Sequence, residues 1–448
     1  MSRAAGLTRT GAGSSSAGPR SPSRARDPPS VRCVAEFSPF RGVRYDCARL
    51  GTDLDRLVAP PYDVIDDDHR AAFESQHDAN AVHLILPQDH TSPGDRYQRA
   101  AIALEAWQAE GVLRRDPADR FYGYRMDFED AEGRRRHTIG VLGALRLPAA
   151  VGEGGILPHE RTLPKAKTDR LDLLRATRAN LDPIWGLSAA AGLTALIDLS
   201  AEIGDCTDDA GVRHRLCAID DPDRIAAIRA AIGAHPLVLA DGHHRFETAV
   251  AYRDERRAAW HDDHECERIL CLVVELTESE LCIEPIHRLV TLGDLDVAGA
   301  LELFADAFEF VAAGANSVEG REHIESAMAA HDGIGVATEH ELFVAVPRPS
   351  VCRPALVAAE PAEVRGTDAA LVEAVIVPRL TGAVWRYRHD LREVAALVEK
   401  REASLAFLLR PVSVETTKTA AAAGVRMPQK TTFFSPKPRT GMVYRLLD

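Results

Sequence analysis

What this 448-residue sequence lacks narrows its class before any motif is considered. Its eight cysteines include no CxxC pair and no cluster with histidine at zinc-ligand spacing, which excludes a zinc module and a dithiol redox centre. The three closest, Cys266, Cys271 and Cys282, straddle the apolar run 269–274, where Cys271 reads as a small buried hydrophobe. Reduced thiols of a cytoplasmic protein are the expectation. No stretch approaches the roughly 20 consecutive apolar residues of a membrane span, and the N-terminal segment lacks the apolar run of a secretory signal. Basic residues in excess are also missing from most of the chain. Residues 1–32 carry six arginines against one acid, Asp27, a surplus of +5, so a total of -13 leaves -18 on residues 33–448. A body that acidic is poorly suited to neutralising a nucleic-acid backbone.

What is present fits a large soluble enzyme or binding protein. Hydrophobic residues make up 46% of the chain, enough for a sizeable core, and the length exceeds that of one ordinary domain. Residues 1–32, rich in Gly, Ser, Ala, Pro and Arg, read as a disordered tail. Residues 33–290 read as one domain and 291–448, where the pattern of elements changes, as a smaller α/β region packing on it. Helices are expected over 66–76, 95–111, 169–181, 246–260, 295–307, 317–330, 367–377 and 390–399. Strands are expected over 82–86, 121–128, 138–147, 185–189, 237–240, 269–277, 308–312, 334–338, 341–347 and 405–409. Single strands, hairpins and helices mixed in this way argue an α+β (mixed α/β) class.

The most informative stretch is Asp241-Gly242-His243-His244-Arg245, between the apolar strand 237–240 and the following helix. The first N–H groups of a helix have no intrahelical partner and sit at the positive end of its dipole, so this corner suits a phosphate. Gly242 lets the backbone approach a ligand, His243 and His244 can donate hydrogen bonds, and Arg245 can grip two phosphate oxygens. The plainer alternative is a helix cap at Asp241 beside two satisfied histidines.

Other candidates follow the same chemistry. His159 and Glu160 lie after a Gly-rich loop at 149–156, where a carboxylate beside an imidazole can act as general base in phosphoryl transfer. A surface loop with Glu160 paired to Arg161 or Lys165 is the alternative. Arg175, Arg178 and Asn180 near a helix end can bind an acidic substrate, or the arginines can form salt bridges to Asp169 and Asp172. Arg41 and Arg44 flank Gly42 in a second candidate anion turn. Tyr62 and Asp63 follow two prolines and are conformationally fixed. Lys430, Lys437 and Arg439 form a cationic cluster near the end that can cross back over a polyphosphate or stay a solvated tail.

Several runs together are recognisable: residues 39–45 (Pro-Phe-Arg-Gly-Val-Arg-Tyr), 59–65 (Ala-Pro-Pro-Tyr-Asp-Val-Ile), 158–162 (Pro-His-Glu-Arg-Thr), 175–181 (Arg-Ala-Thr-Arg-Ala-Asn-Leu), 240–249 and 427–437. In this order they resemble the family called domain of unknown function 1015, from about residue 35 to the C-terminus. The 241–245 region of that family is similar to the ParB/sulfiredoxin superfamily, whose members hold nucleotide phosphates at the equivalent turn in CTP-binding partition proteins, sulfiredoxins and free-serine kinases. The resemblance implies a ParB/sulfiredoxin-like N-terminal domain and a nucleotide phosphate at Gly242, His243, His244 and Arg245. Asp241 would orient the turn or a metal, and Glu160 with His159 would handle the proton. The chain departs from partition proteins in showing no helix-turn-helix after residue 260, and from sulfiredoxins in having no cysteine in the turn. The expectation is a nucleotide-dependent phosphotransferase, taking ATP, ADP or CTP with Mg²⁺ and acting on a small hydroxylated metabolite such as an amino acid. The alternative is a CTP- or ATP-dependent switch without kinase activity. Expected partners are the nucleotide, the small substrate and a second copy of the chain in a homodimer, with neither nucleic acid nor membrane.

Overall fold

The computed structural model describes residues 35–130, 133–149, 154–161, 167–257 and 264–447. The expected tail at 1–32, the middle of the Gly-rich loop, Thr162, Lys165 and the end of the helix expected to reach Trp260 lie outside these residues. Among the described residues no helix is long and apolar enough to cross a membrane.

Two largely apolar runs on either side of a polar turn form the long strands Phe121–Glu129 and Arg135–Arg146, paired antiparallel from Tyr122↔Leu142 to Glu129↔Arg135. They lie inside a nine-stranded mixed sheet. On one side Arg213–Ile219 and then Glu202–Thr207 extend it antiparallel; on the other follow Arg268–Glu275, Ile184–Ser188, Leu237–Asp241 and Ile156–Pro158, while Phe37–Ser38 pairs with Arg135–Arg146. Strand Leu237–Asp241 runs parallel to Ile156–Pro158 and antiparallel to Ile184–Ser188. Both sheet faces are covered, which explains why Arg268–Glu275 is almost uniformly apolar. Cys271 on it is fully buried, and burial pushes its thiol pKa up, as expected for an inert core cysteine.

Residues 287–408 supply a second, six-stranded antiparallel sheet in the order Phe308–Ala315, Glu341–Pro347, Ile334–Ala337, Leu405–Leu408, His287–Thr291 and Val384–Arg388. The chain then returns to the first sheet. Thr432–Ser435 pairs with Cys282–Pro285, Tyr444 bridges to Val43, and Arg445–Leu446 pairs with Ala179–Asn180. The Pro-punctuated C-terminal end is therefore woven into the first lobe, with Tyr444 and Arg445 fully buried.

Glu202–Thr207, Arg213–Ile219 and Pro222–Gly233 form elements that the sequence reading did not expect, and several expected elements differ in type or extent. Residues 82–86, expected as a strand, form a short helix at Val82–Ile85, because the Asn80 side chain accepts from Val82 N at 2.9 Å and fixes a helical turn. Four apolar residues carry no period of their own, so a local side-chain bond decides. The helix expected over 169–181 spans Lys167–Thr177 and stops at Arg178, whose φ of 47° lets the chain turn into the extended pair Ala179–Asn180. The helix expected from Phe246 begins three residues earlier, at His243.

Candidate functional site

Two parallel strand ends create the site. Because Ile156–Pro158 and Leu237–Asp241 run side by side, the residues that follow them, His159–Glu160 and Gly242–Arg245, emerge at the same edge of the sheet. The register between Leu237–Asp241 and Ile184–Ser188 slips after Leu239, and this irregularity turns the Asp241 carboxylate out of the ladder. Gly242 then takes a left-handed conformation, φ 83°, as N-cap of the helix His243–Arg256. A Cβ there would lie 2.8 Å from Ile184 Cγ2 and 3.1 Å from Ile184 Cα, so both backbone angle and packing demand glycine. No side chain caps this helix, so its first N–H groups retain their capacity for an acceptor.

The corner opens into a cleft of about 120 Å³ lined by Gly242, His243, His244, Asp63, Lys430 and Lys437 among others. Small-molecule sites typically enclose roughly 300–1,000 Å³, so the corner itself suits a phosphate-sized group. His243 Nε2 is buried without a hydrogen-bond partner among the described residues. Burial, with His159 adding to it, pushes the His243 pKa down to about 3 against the pull of Glu160 and Asp241, so this imidazole is neutral. Its ring packs on His159 at 5.1 Å between centroids.

Asp241 is neither helix cap nor open metal ligand. Its Oδ1 accepts from Lys437 Nζ at 2.5 Å and its Oδ2 from Arg245 Nη2 at 2.8 Å. Burial works to raise its pKa, but Lys437 and Arg245 outweigh it and hold the carboxyl well below its ordinary value. Arg245 corrects a second expectation. Its Nη1 donates to the Pro183 carbonyl at 2.5 Å and its Nη2 to Asp241, so the fork expected to grip phosphate is committed to the protein. Burial opposes its charge, yet Asp241, Asp182 and Asp63 raise its pKa, and the guanidinium contributes field rather than direct grip. Two buried cations thus share one carboxylate.

His159 and Glu160, expected to move a proton, are committed as well. His159 is buried, with Nδ1 on the Leu239 carbonyl and Nε2 at 2.8 Å from the Thr432 hydroxyl. Glu160 Oε2 accepts from Lys430 N at 3.0 Å; its Oε1 accepts from Thr431 N at 3.1 Å, Thr432 N at 2.8 Å and Thr432 Oγ1 at 2.7 Å. Burial would raise its pKa, but His159, His243 and the Thr432 hydroxyl bring it down to about 2. A carboxylate so saturated is an anchor for the turn at 430–432 and a weak base. What it anchors matters: Lys430 is held at φ 55° on the cleft rim, exposed, its ammonium without a protein partner among the described residues. Arg288, which the sequence reading missed, reinforces the same turn by donating to the carbonyls of Lys430 at 2.8 Å and Gln429 at 3.3 Å.

The expected substrate residues do not join the cleft. Arg175 pairs at the surface with Asp172 at 2.6 Å and Glu255 at 2.5 Å. Arg178 is the helix stop, and buried Asn180 accepts from Leu270 N at 2.9 Å. Arg175→Ala is expected to change stability by less than about 0.5 kcal/mol in urea unfolding, as befits an exposed pair, and to leave ligand binding unchanged. Arg44 is likewise structural, donating twice to Asp116 at 2.7 and 3.1 Å. Arg41 donates to the Asp116 carbonyl. Tyr62 and Asp63 do reach the cleft, Asp63 as an exposed carboxylate with no hydrogen bond or ion pair among the described residues.

A family model described as "Protein of unknown function (DUF1015)" matches residues 37–368. No curated protein matches the chain. Among solved structures, a conserved hypothetical protein from Pyrococcus furiosus is 12% identical, with 64% of this chain and 90% of that chain covered and a TM-score of 0.34. A free serine kinase in complex with AMP is 11% identical over 65% of this chain and 88% of that one, TM-score 0.35. SbnI with C-terminal truncation from Staphylococcus aureus is 12% identical over 67% and 85%, TM-score 0.34.

Proposed function

The chain belongs to the DUF1015 family, whose description assigns no reaction, and from the chemistry of the corner we propose that it binds a nucleotide's phosphates and transfers phosphate to a small hydroxylated metabolite. The observation that carries this reading is the uncapped start of helix His243–Arg256 behind a left-handed glycine, facing a cleft where Lys437 and Arg245 share one carboxylate and Lys430 brings an ammonium unpaired among the described residues. Each of these favours an anion, and together they favour a multiply charged one.

The roles shift from the sequence expectation. Backbone N–H groups at 242–244 would receive the terminal phosphate, with neutral His243 as an added donor and Lys430 reaching over the rim. In transfer, the acceptor's hydroxyl oxygen bonds to the terminal phosphorus while the bond to the bridging oxygen breaks. The nucleotide leaves with that electron pair and the hydroxyl proton passes to solvent at the rim. Positioning and charge carry most of such a step, so a strong protein base is not required. Among the described residues no group of three His, Cys, Asp or Glu could hold a metal. Mg²⁺ fits here as an ion carried by the nucleotide's phosphates, with Asp63 an open carboxylate on the cleft beside it.

The ParB/sulfiredoxin-like character of the 33–290 lobe, the division at 290, a cytoplasmic setting and a homodimer belong to the same proposal. The alternative, a nucleotide-driven switch, has one observation in its favour: the side chains of His159 and Glu160 are both engaged by protein partners. Turnover separates the two. A nucleotide that binds yet yields no phosphorylated product with any small hydroxyl compound supports the switch.

Thermal unfolding against ATP, ADP, CTP and GTP tests the site. At about 100 times its dissociation constant a nucleotide is expected to stabilise the wild type by roughly 2.7 kcal/mol. Lys430→Asn, chosen because asparagine tolerates the left-handed backbone, is expected to leave the ligand-free Tm unchanged and weaken binding about three- to tenfold. Failure of all four nucleotides to stabilise the wild type overturns the reading.

A further inference from the structure

The phosphate corner is too small for donor and acceptor together, and the space beside it is not. A cleft of about 740 Å³ adjoins it and shares Phe433 and Lys437 with it. Its cationic side chains outnumber its carboxylates. One of the cations is Arg439, 9% exposed, with a single ion pair to Asp208 at 2.7 Å and an Nε that has no partner among the described residues. The group is rigidly mounted. Asp208 Oδ2 also meets His214 Nε2 at 3.2 Å, His214 Nδ1 meets Tyr124 OH at 2.8 Å, and that hydroxyl accepts from Arg439 N at 3.0 Å. Asp208 Oδ1 takes the N–H groups of Ala210 and Val212, which shapes the turn at the cleft wall. Burial lowers the His214 pKa, so the imidazole is neutral and Asp208 balances Arg439 alone.

A guanidinium held by Asp208 on the wall of an open cleft, with donors beyond the Nη2 that Asp208 takes, suits the acid group of a small molecule. Lys437 spans the short wall between the two spaces, held on one side by Asp241 and lying 4.7 Å from the centroid of the Phe433 ring. We propose that this cleft seats the acceptor, and that the acceptor is a small hydroxy acid whose anionic group pairs with Arg439 while its hydroxyl lies toward Lys437 and the phosphate corner. This rests on the phosphate reading of the corner. A carboxylate and a phosphomonoester offer the same chemistry to a guanidinium, and the test distinguishes them.

Calorimetric titration of the full chain with glycerate, glycerol 3-phosphate and glycerol, each with and without ADP, measures this. One or both acids are expected to bind at least tenfold more tightly than glycerol, and the tighter one identifies the acid group. Arg439→Gln is expected to remove that advantage while the ADP-induced rise in Tm persists. Because Arg439 is buried, Ala210→Tyr provides a second variant: Ala210 is exposed on the cleft wall, and a bulky ring there obstructs the space while the Ala210 N–H still bonds Asp208 and every side chain of the Arg439 network is kept. It is expected to weaken the acids at least tenfold and leave ADP stabilisation as in wild type. Acids that bind no better than glycerol, or that bind both variants as they bind wild type, overturn the proposal. If the acids bind as described while ADP does not stabilise the chain, the phosphate corner fails and the acid cleft stands.

Discussion

Glu160→Ala is expected to cost about 3–5 kcal/mol of stability, because it strands three backbone donors and a hydroxyl that now share one carboxylate. Had Glu160 been a free general base, the same substitution would abolish turnover and leave Tm nearly unchanged. The two outcomes are far apart, and urea unfolding with a parallel nucleotide titration separates them. Binding falls too, since Lys430 loses the acceptor that holds its backbone on the rim. Acid titration gives an independent reading. The Glu160 pKa is lowered from 4.5 to about 2, so its contribution is fully present above pH 4.5 and is lost as pH falls from there toward 2. That shift corresponds to about 3 kcal/mol, and the acid limb of the stability profile is expected to flatten by that much in Glu160→Ala. An unchanged acid limb means that Glu160 does not hold the turn.

The contrast between what was and was not legible in the sequence follows the range of the interactions involved. Strand 237–241, the hairpin 121–146 and the corner at 241–245 are local patterns, and each stands where an apolar run or turn chemistry places it. The mixed α/β class follows from their order. Glu160 could not be read correctly because all its donors lie some 270 residues away in sequence. The same holds for Asp241, whose second cation comes from Lys437 across 196 positions. Arg245 was misassigned for a different reason: a backbone carbonyl, Pro183 O, takes its Nη1, and no residue type announces that. The exposed arginines at 175 and 178 looked like a binding pair because spacing on a helix reports a shared face and says nothing of what faces it. The C-terminal cluster carried the most useful hint, since Lys430 lines the phosphate corner, Arg439 the adjoining cleft and Lys437 both.

Asp241→Ala should destabilise the chain by about 3–5 kcal/mol, since it leaves Lys437 and Arg245 as neighbouring buried cations with no shared counter-ion. Lys437→Met costs less, about 1–2 kcal/mol, because Asp241 keeps Arg245 and the methionine stem still packs on Phe433. Combining Asp241→Ala with Lys437→Met removes one charge of each sign, and its cost should fall below the sum of the singles by about 1–3 kcal/mol. Additive costs contradict the shared-carboxylate arrangement. Since the carboxyl is held below its ordinary pKa, its contribution is present at neutral pH and lost only as the medium becomes acid enough to protonate it. The anion site adds a consequence that a purely structural role does not share. Without Asp241 the corner loses the carboxylate that Lys437 and Arg245 share, so inorganic pyrophosphate should raise the Tm of Asp241→Ala more than that of wild type, while Lys437→Met responds less than wild type. Equal responses in all three proteins place the bound anion elsewhere.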